Sequence, residues 1–227
     1  MIYSYTLINT FHDVCPRQAY ERYYAKSVPF VETPELKKGK DDHKALENRL
    51  KFGNPMPDHL DICEPICENL MARGIPLTET KLGVTRSLEP CGFWDNDAYL
   101  RGAADVMLYN RPSTSVFIGD WKTGKKREDG EPLQLMILSA FAFAETPTLE
   151  LAAAANIYTQ TGKLGTLHTW RRSELPTLWR TIVPLIQEIE LAETNKHFPE
   201  RQGPLCKWCA VFACRFNTNP EKANARA

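Results

Sequence analysis

The sequence predicts an α/β protein with a mixed central sheet flanked by helices and a helical extension on its N-terminal side. Capping residues and helical spacing recur through the first third of the chain, which indicates helices there. From about residue 77 the apolar residues follow a period of two or form continuous runs, which is typical of strands. A strongly apolar helical segment interrupts these runs, as expected when helices pack on a sheet.

The N-terminal helices are predicted from their start and stop signals. Serine, threonine or aspartate stands at three of the starts, and proline occupies the first turn of the other helix. The predicted helices are one capped by Ser4, then Pro16–Lys26, Thr33–Lys51 and Asp58–Gly74.

Five strands and one buried helix are predicted next, and a long helix follows them. Turn-forming residues at 90–92 and 110–113 separate the first three strands. In chain order the predicted segments are strands Leu77–Leu88, Tyr99–Tyr109 and Ser115–Trp121, helix Pro132–Glu145, strands Leu151–Thr159 and Leu164–Trp170, and helix Ser173–Glu193.

The chain length and composition favour one domain. A chain of 227 residues, of which 43% are hydrophobic, can bury one substantial core. We predict a single domain over residues 1–216, with a helical part at 1–75, a catalytic sheet core at 76–172, a C-terminal part at 173–216 and a tail at 217–227. No apolar run reaches membrane-spanning length, and the first residues lack a charged and then apolar leader, so we expect a cytoplasmic protein.

Two acids and a lysine stand at the spacing that a metal-dependent phosphodiesterase needs. Asp120 and Lys122 are two residues apart and share one face of a strand, and a hairpin would bring Asp105 beside them. Carboxylate oxygens bind Mg²⁺ or Mn²⁺, which activates water, and an ammonium group steadies developing negative charge. The alternative is an ordinary strand that ends in a surface Asp and Lys before a turn.

Basic residues surround this pattern although the formal net charge is zero. Lys40 precedes a histidine, and Lys125, Lys126 and Arg127 follow the acids, so the predicted site would have a rim of cations that contact nucleic-acid phosphates. A solvated loop or helix face is the alternative.

Three further residues complete an ordered set of motifs. His43 and Glu47 lie one helical turn apart, and Gln134 opens the apolar helix after the acids. A histidine-glutamate helix, then Gly-Ala-Ala-Asp at 102–105, then Asp-x-Lys-Thr at 120–123, then Gln-Leu at 134–135 resembles the RecB-like branch of the PD-(D/E)XK nuclease superfamily. Members often have tyrosine at the positions of Trp121 and Leu138.

The resemblance implies a restriction-endonuclease-like core and assigns roles to its motif residues. The metal would be bound by His43, Asp105, Asp120 and the backbone carbonyl of Trp121, with Glu47 either a further ligand or a lysine partner. Lys122 would serve the nucleophilic water. Gln134 would lie beside the site.

Four of the seven cysteines form a second pattern. Cys206, Cys209 and Cys214 are clustered late in the chain, and Cys15 stands alone near its beginning. This arrangement resembles the CRISPR-associated RecB-like exonucleases and the AddB nuclease domain, in which such cysteines hold a [4Fe-4S] cluster. A zinc site and buried thiols are the alternatives. Cysteines 63 and 67 are interpreted as packing residues.

These patterns together predict a metal-dependent DNA nuclease. The resemblance implies an exonuclease that acts on single strands or DNA ends in phage or bacterial recombination, repair or CRISPR-related processing. A helicase, recombinase or integrase is the expected kind of partner. Two other hypotheses are a catalytically idle nucleic-acid-binding or adaptor subunit with the nuclease fold, and a metal-dependent hydrolase with another substrate.

Overall fold

The computed structural model describes residues 1–28, 32–124 and 132–219. Its chain divides into two compact units, one comprising Met1–Ile2 and Glu32–Arg180 and the other Tyr3–Val31 and Thr181–Ala227. The helices and strands in chain order are α1 (Tyr5–Asn9), α2 (Pro16–Ala19), α3 (Pro34–Phe52), α4 (Glu64–Arg73), β1 (Leu77–Thr85), β2 (Pro90–Cys91), β3 (Ala98–Tyr109), β4 (Ser115–Lys122), α5 (Leu133–Glu145), β5 (Leu151–Tyr158), β6 (Lys163–Leu164), β7 (His168–Arg171) and α6 (Leu175–Thr194).

The helices of the first unit begin and end largely where their local signals predict. Thr33 caps α3 by accepting a hydrogen bond from Leu36 N, and Gly53 ends it with a left-handed φ of 72°. Residues Asp58–Cys63 form 3₁₀ turns before α4, so the predicted fourth helix is α-helical only in its second part.

A seven-stranded sheet forms the centre of the first unit, with the order β2-β1-β3-β4-β5-β6 and with β7 also paired to β5. The pair β3–β4 is antiparallel and the pair β4–β5 is parallel, so the predicted mixed sheet is confirmed. Parallel strands need a crossover connection, and α5 lies in the segment between β4 and β5.

One predicted strand was wrong. Residues 164–170 form two short strands, β6 and β7, rather than a single one. Leu164 pairs with Ile157 of β5, and His168 pairs with Ala154 of β5. Leu164 and His168 are four positions apart in the sequence, but their partners on β5 are only three positions apart. The extra residue is accommodated as a bulge that interrupts the hydrogen-bond ladder.

A buried cluster packs helices α3 and α4 onto one part of the sheet. Leu46 and Leu50 of α3 contact the same apolar core as Val106 of β3 and Trp121 of β4. A side chain at Gly119 would place its Cβ 2.6 Å from Val106 Cγ1, so glycine is required where this core lies against β4. Cysteines 63 and 67 are fully buried in the cluster, which confirms their packing role.

The second unit contains short helical segments from both ends of the chain. Ser4 Oγ accepts a hydrogen bond from Leu7 N and caps α1, as predicted. A π-helical turn follows each of α1 and α2, over Thr10–Val14 and Tyr20–Tyr24, so the second predicted helix is not a single regular one. Within the described residues, none of the helices combines the length and the apolar character that crossing a membrane requires.

Candidate active site

The two predicted acids meet where β3 and β4 separate. Val106 pairs with Gly119 as the last bridge of this ladder, and the next residues along are Asp105 and Asp120. Beyond the bridge, Asp105 Oδ2 accepts a hydrogen bond of 2.7 Å from Trp121 N. The side chain of Asp105 thus takes the place of a backbone carbonyl of β3 as the hydrogen-bond acceptor for β4. The two strands separate here, and carboxylates line the gap between them.

Lys122 and Gln134 hold Asp120 in a closed hydrogen-bonded triangle. Lys122 Nζ lies 2.5 Å from Asp120 Oδ2 and donates to Gln134 Oε1 at 2.8 Å. Gln134 Nε2, at the start of α5, donates to Asp120 Oδ1 at 2.5 Å. The predicted proximity of Asp120, Lys122 and Gln134 is therefore present, and the triangle orients the lysine toward its acid.

Helix α3 brings the predicted histidine to the same place. His43 Nδ1 lies 3.5 Å from Asp105 Oδ1. Gly39, one turn earlier on the same face, would put a Cβ 3.1 Å from Thr123 Oγ1, so glycine lets the helix lie close to the end of β4. Close packing at this glycine supports the position of His43.

Glu79 of β1 is a further residue at the site, and it lies outside the motifs that the sequence analysis assigned to metal binding. Ligand atoms of His43, Glu79 and Asp105 all lie within 4.8 Å of one another. Glu79 stands opposite Asp105, since its neighbours Thr78 and Thr80 pair with Val106 and Ala104. Its φ of 49° is left-handed, which is rare for glutamate within a strand. The pairing register between β1 and β3 identifies Glu79 as a residue of the site. No local sequence pattern marks it as one.

The acids and the histidine perturb one another's protonation. Burial raises the pKa of Asp120 to about 6, with Lys122 acting against this shift and Asp105 adding to it. Burial lowers the pKa of His43, but the hydrogen bond and charge of Asp105 outweigh it, so this pKa lies above its usual value. Partial burial and the charge of Asp105 also raise the pKa of Glu79.

We expect the contribution of Asp120 to the stability of the metal-free protein to be lost as pH rises from about 4 to about 6. The pKa of Asp120 rises from 3.8 to about 6 on folding, so the folded state holds this proton more tightly than the unfolded chain. The stabilisation that this tighter proton binding gives the folded state is fully present below pH 3.8 and is lost as the pH rises through about 6. The pKa of His43 is also raised, so its contribution to stability is likewise lost as the pH rises above the usual histidine value of 6.5.

Melting temperatures measured in EDTA across this range check the expectation. The melting temperature of Asp120→Asn should rise relative to that of the parent protein as pH increases through this range, because only the parent has this titrating carboxyl group. A difference between the two melting temperatures that stays constant with pH would contradict it.

The donor set fits a divalent cation. Two carboxylates and one imidazole converge, and Asp120 adds a buried carboxylate that is 4% exposed. Oxygen-rich sets of this kind suit Mg²⁺ and Mn²⁺. Close carboxylates repel one another without a counter-charge, which a bound cation would supply.

Other predicted contacts are occupied or lie beyond the described residues. Glu47 accepts a hydrogen bond of 2.8 Å from Lys44. Of the two roles expected for Glu47, metal ligand or lysine partner, the structure contains the second. Lys40 Nζ lies 2.6 Å from Glu32 Oε1 at the surface. The predicted phosphate contacts at residues 125–127 lie outside the described residues.

The four predicted cluster cysteines surround one cavity in the second unit. It has a volume of about 180 Å³, and its lining includes Cys15, Cys206, Cys209 and Cys214. The seven cysteines, all within the described residues, form no disulfide bond. The early cysteine and the three late ones are therefore brought together by the fold.

Backbone N–H groups point at three of these sulfurs. Each donor lies at hydrogen-bonding distance from its thiol and belongs to the same C-terminal segment. The bonds are Arg201 N to Cys15 Sγ at 3.3 Å, Gly203 N to Cys206 Sγ at 3.4 Å and Val211 N to Cys209 Sγ at 3.5 Å. Such donors stabilise thiolates, and four thiolates around a cavity are a donor set for either a structural zinc ion or an iron–sulfur cluster.

A family model and two solved structures are similar to this chain. The model for the PD-(D/E)XK nuclease superfamily matches residues 3–214. A structure named "Putative exonuclease", from Eubacterium rectale, aligns with a TM-score of 0.56 at 11% identity, covering 92% of this chain and 85% of its own. The structure of SSO0001 aligns with a TM-score of 0.40 at 16% identity, covering 90% and 83%. No curated protein matches the chain.

Proposed function

The chain belongs to the PD-(D/E)XK nuclease superfamily, and from this premise we propose that it is a metal-dependent deoxyribonuclease. One observation carries the proposal. Asp105 and Asp120 meet where β3 and β4 separate, with Lys122 bound to Asp120 and His43 beside Asp105. An acid pair with an adjacent ammonium group suits the metal-dependent hydrolysis of a phosphodiester.

The proposed ligands are His43, Asp105, Asp120 and the carbonyl oxygen of Trp121. When bound, Mg²⁺ or Mn²⁺ would offset the negative charge of the phosphate and would lower the pKa of a water molecule. Asp105 Oδ2 is fixed by Trp121 N, so the ligand geometry is set before substrate arrives. Glu79 extends this set, because its ligand atom lies with those of His43 and Asp105.

Lys122 is proposed to act on the attacking water and on the developing negative charge. Its Nζ is held by Asp120 Oδ2 and Gln134 Oε1, which limits the positions of the ammonium group. A preorganised cation stabilises charge that appears only in the transition state. Gln134 is a positioning residue, since it bonds both Lys122 and Asp120.

We further propose that the enzyme is an exonuclease of the RecB-like branch, acting on single strands or DNA ends. The order of the motifs supports this assignment. Its setting would be phage or bacterial recombination, repair or CRISPR-related processing, with a helicase, recombinase or integrase as partner. In this proposal residues 1–216 act as one nuclease domain.

The cysteines are proposed to hold a [4Fe-4S] cluster with a structural role. Four thiols line one cavity, and backbone donors to three sulfurs support thiolate ligation. Cys15 comes from the N-terminal segment of the unit and the other ligands from its C-terminal segment. Ligation would therefore crosslink these two segments.

Degradation of end-labelled single- and double-stranded DNA tests the function. We expect cleavage with Mg²⁺ or Mn²⁺ and none with EDTA, because the acids act through a bound cation. Lys122→Ala should lower kcat more than it raises KM, as removal of a transition-state interaction does. DNA binding without any cleavage would instead favour the idle binding subunit.

A further inference from the structure

A cavity of about 330 Å³ lies at the carboxyl ends of the parallel strands β4 and β5. Thr123 and Gly124 follow β4 there, and Thr159 and Gln160 follow β5. We propose that this cavity binds the nucleoside of the terminal nucleotide, so that DNA ends are shortened one nucleotide at a time. The inference rests on the proposed nuclease function and extends it to substrate position.

The cavity adjoins the candidate active site along two elements. Gly39 of α3 is part of its wall and lies one turn from His43, which corresponds to a rise of about 6 Å along the helix. Thr123 also lines it and directly follows Lys122. A nucleoside in the cavity would thus have its phosphate directed toward His43 and Lys122.

The wall of the cavity is held by a buried carboxylate. Asp42 is 4% exposed, accepts a hydrogen bond from Lys38 Nζ at 2.8 Å and lies 2.7 Å from His59 Nε2. A charged group buried in this way keeps both partners in place. Lys38 and His59 therefore line the cavity with their polar ends directed at Asp42.

The floor is equally ordered. Gln160 Nε2 donates to Thr123 O at 3.1 Å, and Thr159 N donates to Lys122 O at 3.1 Å. These bonds join the segments that follow β4 and β5. A pocket that is formed before binding loses less conformational entropy when its ligand arrives.

Size and charge favour a nucleoside over a bare phosphate. The volume is at the lower end of small-molecule pockets, which span about 300–1,000 Å³, so it suits one nucleoside rather than a strand. The charge of Lys38 is already paired with Asp42, and Glu35 adds a second acid, which disfavours an anion. Hydroxyl and amide groups suit a base and a sugar, and the His59 ring offers a stacking surface.

Calorimetric titration of the 227-residue chain in EDTA tests the pocket without requiring catalysis. Thymidine and thymidine 5′-monophosphate should both bind, whereas inorganic phosphate should not. Gln160→Trp, which would fill the cavity from an exposed position, and His59→Ala should each weaken nucleoside binding by about tenfold or more. Gln187→Trp places the same ring at an exposed position of α6 that does not line the cavity, and should bind like the parent.

Product analysis gives the second measurement. The parent should release mononucleotides from end-labelled DNA, and Gln160→Trp should release longer fragments. Phosphate binding as tight as that of the monophosphate, or absent nucleoside binding with unchanged product lengths, would overturn the inference. Nucleoside binding in EDTA without any metal-dependent cleavage would instead reject the proposed nuclease function and leave the pocket in place.

Discussion

Asp105→Ala and Asp120→Ala are each expected to lower DNA cleavage by about a thousandfold or more. Each substitution removes a proposed ligand, so the cation binds poorly and its charge on the phosphate is lost. The fold should persist, because removing one of two close carboxylates also relieves their repulsion. Initial rates on end-labelled DNA with saturating Mn²⁺ measure the first effect, and melting in EDTA measures the second.

Metal-induced stabilisation provides a readout independent of catalysis. Mn²⁺ should raise the melting temperature of the parent, since a ligand that binds only the folded state stabilises it, and it should do so much less for either variant. Asp61→Ala, an exposed aspartate outside the site, is the matched control and should behave like the parent. Full cleavage by both site variants would reject the assigned roles.

Cys15→Ser is expected to abolish the iron–sulfur cluster and to lower the melting temperature. Protein purified without oxygen should be brown, absorb broadly near roughly 400 nm and contain about four irons per chain. The variant should be colourless, because one of four ligands is missing. Loss of the crosslink frees the N-terminal and C-terminal segments of the second unit, so stability falls and activity should decline with it on warming.

Cys91→Ser is the control for this effect, because Cys91 lies on β2 in the first unit and does not line the cysteine cavity. It should retain both colour and iron. A colourless parent protein with one zinc ion per chain would show that the cysteines form a structural zinc site rather than hold an iron–sulfur cluster. A metal-free parent that melts like Cys15→Ser would show that these cysteines are packing residues.

Helix starts and strand identities followed from local chemistry. The cap at Thr33, the stop at Gly53 and the hairpin of β3 and β4 all depend on neighbouring residues, and the structure contains each of them. The split between β6 and β7 was missed because a bulge depends on the partner strand β5. The composition of residues 164–170 alone is compatible with one continuous strand.

The sequence by itself determined which residue types stand at short spacing. Asp120 and Lys122 share a strand face, and His43 lies on an amphipathic helix, because the periods of strand and helix are local properties. Only the tertiary structure placed Glu79 opposite Asp105 and His59 against Asp42. These contacts depend on strand register and helix packing, which arise when distant segments bury their apolar surfaces together, and no local spacing encodes them.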